Sequence, residues 1–176
     1  MTKRTSNLLI LMGILLLFSG FTHAQVAQIT PKPLVYTAGT GEFVFDNATD
    51  IEYPDFSGDS IKTILEKFTS DFRISTGLSL TYSTNTPTAK IRLSIDNTQS
   101  PEEYKLIITT SGISITASKP AGFYYALQTI KKMMPAAVMA VQADNTVAKW
   151  AVPATNIADK PRFGRRGFML DVGRHF

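Results

Sequence analysis

No cysteine occurs anywhere in this chain of 176 residues, and that absence limits what it can fold into. Without disulfide staples the hydrophobic core alone must hold the fold, so every element has to pair or pack through its own apolar face. The first 24 residues are not expected to join that core. Lys3 and Arg4 make a positive start, Leu8–Phe18 is apolar except for Gly13, and Thr22-His23-Ala24 ends on a small residue ahead of Gln25. This is the pattern of a secretory signal peptide, because the apolar run is too short to span a bilayer and a polar chain follows at once; a retained N-terminal anchor is the alternative. Residues 1–24 are therefore expected to be cleaved, leaving an exported chain, periplasmic or secreted, with no stable membrane span. A lipid-anchored cysteine is excluded by composition.

Cleavage changes the charge argument. The chain carries 18 basic and 14 acidic residues. Loss of Lys3 and Arg4 leaves 16 basic against the same 14 acidic, a net of +2. The sequence pI of 9.3 counts the leader and overstates the basicity. Lys131-Lys132 and Arg165-Arg166 are isolated pairs rather than a phosphate-tracking stripe, so nucleic acid is not expected as a partner. His175 is the only histidine beyond the leader, which argues against a histidine-built metal site. No motif calls for a cofactor.

About 152 residues then remain, enough for one domain with a sizeable core. Short β-like runs come first, at Leu34–Tyr36, Glu42–Asp46 and Asp50–Tyr53, punctuated by Gly39, Gly41 and Asn47. Ser57-Gly58-Asp59-Ser60 offers N-cap candidates for an amphipathic helix whose apolar stripe is Ile61, Ile64, Leu65, Phe68 and Phe72, ended by Thr76-Gly77. Strands are predicted at Leu78–Ser83 and Ala89–Asp96, the second with Ile91, Leu93 and Ile95 alternating. Tyr104–Thr110 and Ile113–Ala117 flank Ser111-Gly112 as a tight hairpin. Lys119-Pro120 opens a second helix, and Pro135 ends it. Its apolar residues Phe123, Tyr124, Leu127, Ile130, Met133 and Met134 make a face wider than a one-sided surface helix needs. Residues 136–149 read as a loop or hairpin, and Trp150–Ile157 as a last strand or extended connector. This order predicts an α+β domain with an antiparallel or mixed sheet and two helices packed on one face.

Residues 25–158 hold no G-x-S-x-G, no phosphate-cradling glycine loop and no histidine to serve a nucleophile. Glu102-Glu103 beside Pro101 reads as a solvated turn. The last residues differ: Phe168-Met169-Leu170 is an apolar run leading into Asp171, Val172, Gly173, Arg174 and His175, as a buried strand delivers polar groups to a site.

That tail, PRFGRRGFMLDVGRHF, resembles the entry to the catalytic domain of family 20 glycoside hydrolases, the β-N-acetylhexosaminidases. The matching positions are Pro161, Arg162, Phe163, Arg166, Gly167, Leu170, Asp171, Arg174, His175 and Phe176. Arg165 stands where relatives often carry an aromatic residue. Upstream, EEYKLIITTSGISITASKPAGFYYALQTIKKMMP resembles the end of the non-catalytic N-terminal domain of these enzymes, with Lys132-Met133-Met134 where Gln-Leu-Leu is common.

The resemblance implies a division into a leader (1–24), an accessory α+β domain (25–158) and the start of a (β/α)8 barrel (159–176), with Gly167–Val172 as its first strand. It implies that Arg174 binds hydroxyls of a terminal N-acetylhexosamine, for which a planar, permanently charged fork is suited. Asp171 and His175 are candidates for supporting that site, and Arg162 and Arg166 for pinning the domain junction. Catalysis in this family is substrate-assisted, with an adjacent Asp-Glu pair orienting the acetamide and protonating the leaving oxygen. No residue of this chain matches that pair, so no catalytic residue is assigned and the chain alone is expected to be inactive. Glycans bearing N-acetylhexosamine are the implied substrates in the full-length context. The second helix is expected to meet a catalytic barrel, because in the family such helices pack between sheet and barrel. The alternative is a stand-alone, non-enzymatic periplasmic module that binds glycan or protein.

Overall fold

The computed structural model describes residues 29–55 and 60–170. The leader, the N-cap candidates Ser57, Gly58 and Asp59, and the site candidates Asp171, Arg174 and His175 lie outside the described residues.

Strand β1 (Val35–Val44) joins two runs that the glycines seemed to separate. Its ladder with β7 (Ala151–Asp159) shifts register between Ala38 and Glu42, so the glycines mark a bulge rather than a break. Gly41 has φ +86°, and a Cβ there would lie 2.6 Å from Thr110 Cγ2. Pro153, which has no N–H to donate, stands opposite Glu42 where the ladder is already irregular.

Strands β2 (Asp50–Glu52), β3 (Thr81–Ser83), β4 (Ile91–Ile95), β5 (Tyr104–Ile108) and β6 (Ile113–Ala117) complete a seven-stranded sheet of order β1-β7-β5-β6-β4-β2-β3. The β1, β7, β5 and β6 neighbours are antiparallel, whereas β6, β4, β2 and β3 are parallel. The sheet is therefore mixed, and the fold α+β. The Ser111-Gly112 turn pairs β5 with β6 as the spacing predicts, with Ile108 opposite Ile113. The run 78–83 yields only three strand residues, because its one neighbour, β2, is itself only three residues long and all three are paired.

Alternation along these strands sorts the two faces. Ile91, Leu93, Leu106, Ile108, Ile113 and Ile115 are buried on one face. Arg92, Lys105, Ile107 and Ser114 point to solvent on the other. Ile95 departs from the expected pattern and is 40% exposed.

Helix α1 (Ser60–Thr76) buries Ile61, Leu65, Phe68 and Phe72, with the Phe72 ring 5.1 Å from that of Phe45. Gly77 takes φ +75° and donates its N–H to the Arg73 carbonyl at 2.9 Å, closing the helix as a glycine C-cap does. Helix α2 (Pro120–Met133) begins with proline in its first turn and packs on β5, β6 and α1. A 3₁₀ turn at Ala136–Met139 follows Pro135.

The width of the apolar face of α2 has a local explanation. Phe123, Leu127, Ile130, Met133 and Met134 are all buried within the domain, since the helix lies against both the sheet and α1. Of the residues expected to need a barrel, Tyr124 alone stays exposed, at 44%. Of the predicted strand Gly167–Val172, the described residues 167–170 pair with no other described strand, and Phe168 and Met169 are both 89% exposed. A strand exists only where a neighbour accepts its N–H and C=O groups, and no described segment does so here.

Candidate functional site

The last strand and the residues after it build a site at one end of the sheet. As β7 ends, Asp159 Oδ1 accepts the Leu34 N–H at 3.1 Å and ties the start of the domain to its end. From the last turn of α2, Lys132 Nζ donates to the Thr30 carbonyl at 3.1 Å. The chain from Lys160 to Arg166 then runs over the side of α2. Between these segments lies a cavity of about 320 Å³, with Pro31, Tyr125, Gln128 and Phe163 among its lining residues.

Its floor is the buried pair Tyr104 and Thr129, whose hydroxyl oxygens lie 2.7 Å apart. Burial pushes the Tyr104 phenol up to about 12, more than the bond to Thr129 lowers it. Its rim is fastened by Glu102. Glu102 Oε1 accepts from the Tyr125 hydroxyl at 3.0 Å and from Arg166 Nη2 at 2.5 Å. The Tyr125 bond, then the Arg166 bond, hold the Glu102 carboxyl below its ordinary value, and Glu102 in turn raises the Tyr125 phenol and the Arg166 guanidinium. Glu102-Glu103 does sit in the surface turn that the sequence predicts, but Glu102 is engaged there rather than free. Glu103 accepts from the Ser100 N–H and hydroxyl, bracing the loop that presents Glu102.

Arg162 and Arg166 were both candidates for pinning this junction. Both line the cavity, but among the described residues only Arg166 has a carboxylate partner. Sequence reasoning missed Glu102 and Tyr125. Nothing local marks them, because their partner lies 64 residues from Glu102 in the chain.

A second groove, of about 350 Å³, lies between α1 and α2. Ile64, Phe68, Tyr124, Leu127 and Met139 give it an apolar lining, and Lys67, Asp71 and Lys131 form a polar edge. A general acid must be protonated near working pH, whereas Glu102 is held ionised by its donors. Among the described residues no group of three or more His, Cys, Asp or Glu side chains can hold a metal ion. Nor is any helix among them long and apolar enough to cross a membrane.

The described residues thus form a mixed-sheet α+β domain with two concave surfaces beside its second helix. Its sequence matches the profile of glycosyl hydrolase family 20, domain 2, over residues 26–160, and the chain belongs to that family. A beta-hexosaminidase from Porphyromonas gingivalis is 32% identical over 153 residues, covering 85% of this chain and 19% of that protein. The beta-hexosaminidase of Vibrio vulnificus is 26% identical, over 87% of this chain and 16% of its own length. Among solved structures, the N-acetyl-beta-hexosaminidase of Streptomyces plicatus superposes with a TM-score of 0.74 at 28% identity, covering 85% of this chain and 29% of that one. The chain thus spans less than a third of each of these relatives.

Proposed function

We propose that this chain is the N-terminal part of an exported β-N-acetylhexosaminidase, whose α+β domain supports a barrel that removes terminal N-acetylhexosamine from glycans. The observation that carries this reading is the domain-2 match over residues 26–160, in a chain that accounts for only 19% of a homologous beta-hexosaminidase. On this reading residues 1–24 direct export, residues 159–176 enter the barrel, and Arg174 holds sugar hydroxyls with Asp171 and His175 in support. The Arg166–Glu102–Tyr125 contacts would set where the barrel's first strand starts. Cleavage of bonds on the substrate falls to the acetamide oxygen and to an adjacent Asp-Glu pair. That pair matches nothing here, so the chain alone is inactive.

One observation favours the stand-alone module. Phe123, Met133 and Met134 are satisfied by their own domain, so α2 does not by itself demand a barrel. Two measurements separate the readings. The purified chain should release no chromophore from an aryl N-acetylglucosaminide, and release at enzymatic rates would refute its inactivity. Coding sequence read past Phe176 should continue into a barrel with an adjacent Asp-Glu pair; a stop codon in several independent isolates would establish the module instead. N-terminal sequencing of the exported protein should begin at Gln25.

A further inference from the structure

The cavity between α2 and residues 160–166 is unusual in its charge. Its lining includes Lys32, Lys132, Lys160, Arg162 and Arg166 against only Glu102 and Asp159, a local net of +3. The whole chain without its leader carries only +2. Both acids are already engaged, Glu102 by Arg166 and Tyr125 and Asp159 by the Leu34 N–H. Lys32, Lys132, Lys160 and Arg162 form no ion pair among the described residues. Although Lys160 is offset in part by Glu103 and Lys132 is bonded to the Thr30 carbonyl, this excess of cations around a concave wall focuses a positive potential into it.

The remaining lining says what else the ligand must be. Tyr125 and Phe163 place aromatic rings in the lining, and an aromatic ring is a suitable surface for the C–H face of a sugar. At the floor, Tyr104 and Thr129 are 3% and 7% exposed and bonded to each other, which leaves one hydroxyl proton and spare lone pairs for a ligand. Gln128 adds an amide. A cavity of about 320 Å³ is at the lower end of the range for small-molecule pockets, and a bare inorganic ion would leave most of it empty. An aromatic carboxylate would fill it but leave the hydroxyl floor unanswered.

We propose that this cavity binds a single anionic sugar, a ring carrying a carboxylate or a sulfate or phosphate ester, with the acid group held by Lys32 and Arg162 and the ring against Tyr125 and Phe163. Arg162 and Phe163 ride on the segment after β7, so an occupied cavity also fastens that segment to α2. Arg162 and Phe163 lie on the segment that the proposed function leads into the barrel, but the titration below reads binding to this chain itself, so its failure would leave the domain-2 match over residues 26–160 standing.

The test is calorimetric titration of the intact chain with N-acetylglucosamine 6-sulfate, glucuronate, neutral N-acetylglucosamine and inorganic sulfate. The acidic sugars should bind at least about tenfold more tightly than the neutral sugar, the gain expected of charge-assisted hydrogen bonds, and more tightly than free sulfate, which lacks the ring. The double variant Lys32→Glu, Arg162→Glu should weaken that binding by at least about tenfold, with an unchanged melting temperature because both side chains are exposed and unpaired. Equal binding of neutral sugar, of free sulfate, or of acidic sugar to the double variant would overturn the proposal. So would the absence of binding by either acidic sugar.

Discussion

Lys131 is a cation almost without water: its side chain is 9% exposed and its Nζ lies 3.3 Å from Asp71 Oδ2. Asp71 also takes Lys67 at 3.1 Å, one helical turn away. Burial works to raise the Asp71 carboxyl, but the Lys67 hydrogen bond and the charge and hydrogen bond of Lys131 together hold it below 3.8. A carboxyl depressed on folding stabilises above its unfolded value, and that contribution is lost as pH falls through the folded one. Urea titrations should therefore show the native chain losing stability below pH 3.8, with a shallower loss for Asp71→Asn. At neutral pH the same variant leaves Lys131 buried without a counter-charge. A loss of about 2 kcal/mol is expected, below the full buried-pair penalty because Asp71 itself is partly exposed. Tyr104 bears on the opposite limb. Its phenol, raised to about 12, contributes stability below the ordinary value of 10.0 that is lost as pH rises toward 12. Tyr104→Phe should flatten the alkaline limb of the same titration. The sequence shows that Lys131 and Tyr104 are lysine and tyrosine in regular elements. It does not show that one is desolvated and the other hidden, because burial is set by what packs over them.

Among the elements, α2 was the most legible and also the most misread. Its proline start and proline stop were evident, and its apolar residues were correctly named. Reading the wide face as a demand for a second domain assumed a helix with one neighbour. In the fold it has two, the sheet and α1, and their joint surface covers Phe123, Met133 and Met134. Gly122, part of the stretch that resembles family 20 enzymes, has a packing reason. A Cβ there would clash with the Glu103 carbonyl oxygen and lie 2.8 Å from Ala117 Cβ, so α2 and the sheet approach through it. Gly122→Ala should cost about 1–3 kcal/mol by forcing that approach apart, read as a lower urea midpoint at unchanged slope. The β1 glycines were read as interruptions because the register of a distant partner is invisible in a linear sequence. With β7 in place, Gly41 becomes the positive-φ position of a bulge, and Gly41→Ala should destabilise by about 1–2 kcal/mol on the same assay.

Across the whole molecule, the Arg166–Glu102–Tyr125 cluster joins three segments that are far apart in sequence. It lies at the surface, so its importance is positional rather than energetic. Glu102→Ala should release the 160–166 segment, seen as several-fold faster tryptic cleavage after Arg162, Arg165 and Arg166 with little change in melting temperature. Tyr125→Phe should give an intermediate rate, since Arg166 keeps its carboxylate. Because Glu102 is held below its ordinary 4.5, the wild-type segment should stay fastened near pH 5 and loosen as the carboxyl protonates at lower pH, observable in the NMR line widths of residues 160–166 across that range.

Periodicity and punctuation by themselves determined the two helices, the hairpin, the α+β class and, through two motifs, the family. These depend on neighbours three or four residues apart, or on turn residues whose preferences are local. Only the tertiary structure decided the mixed strand order, the bulge in β1, the second neighbour of α2 and the cationic cavity closed by Glu102 and Arg166. Those follow from contacts between segments tens to over a hundred residues apart, and a linear pattern carries no term for which distant surfaces will meet.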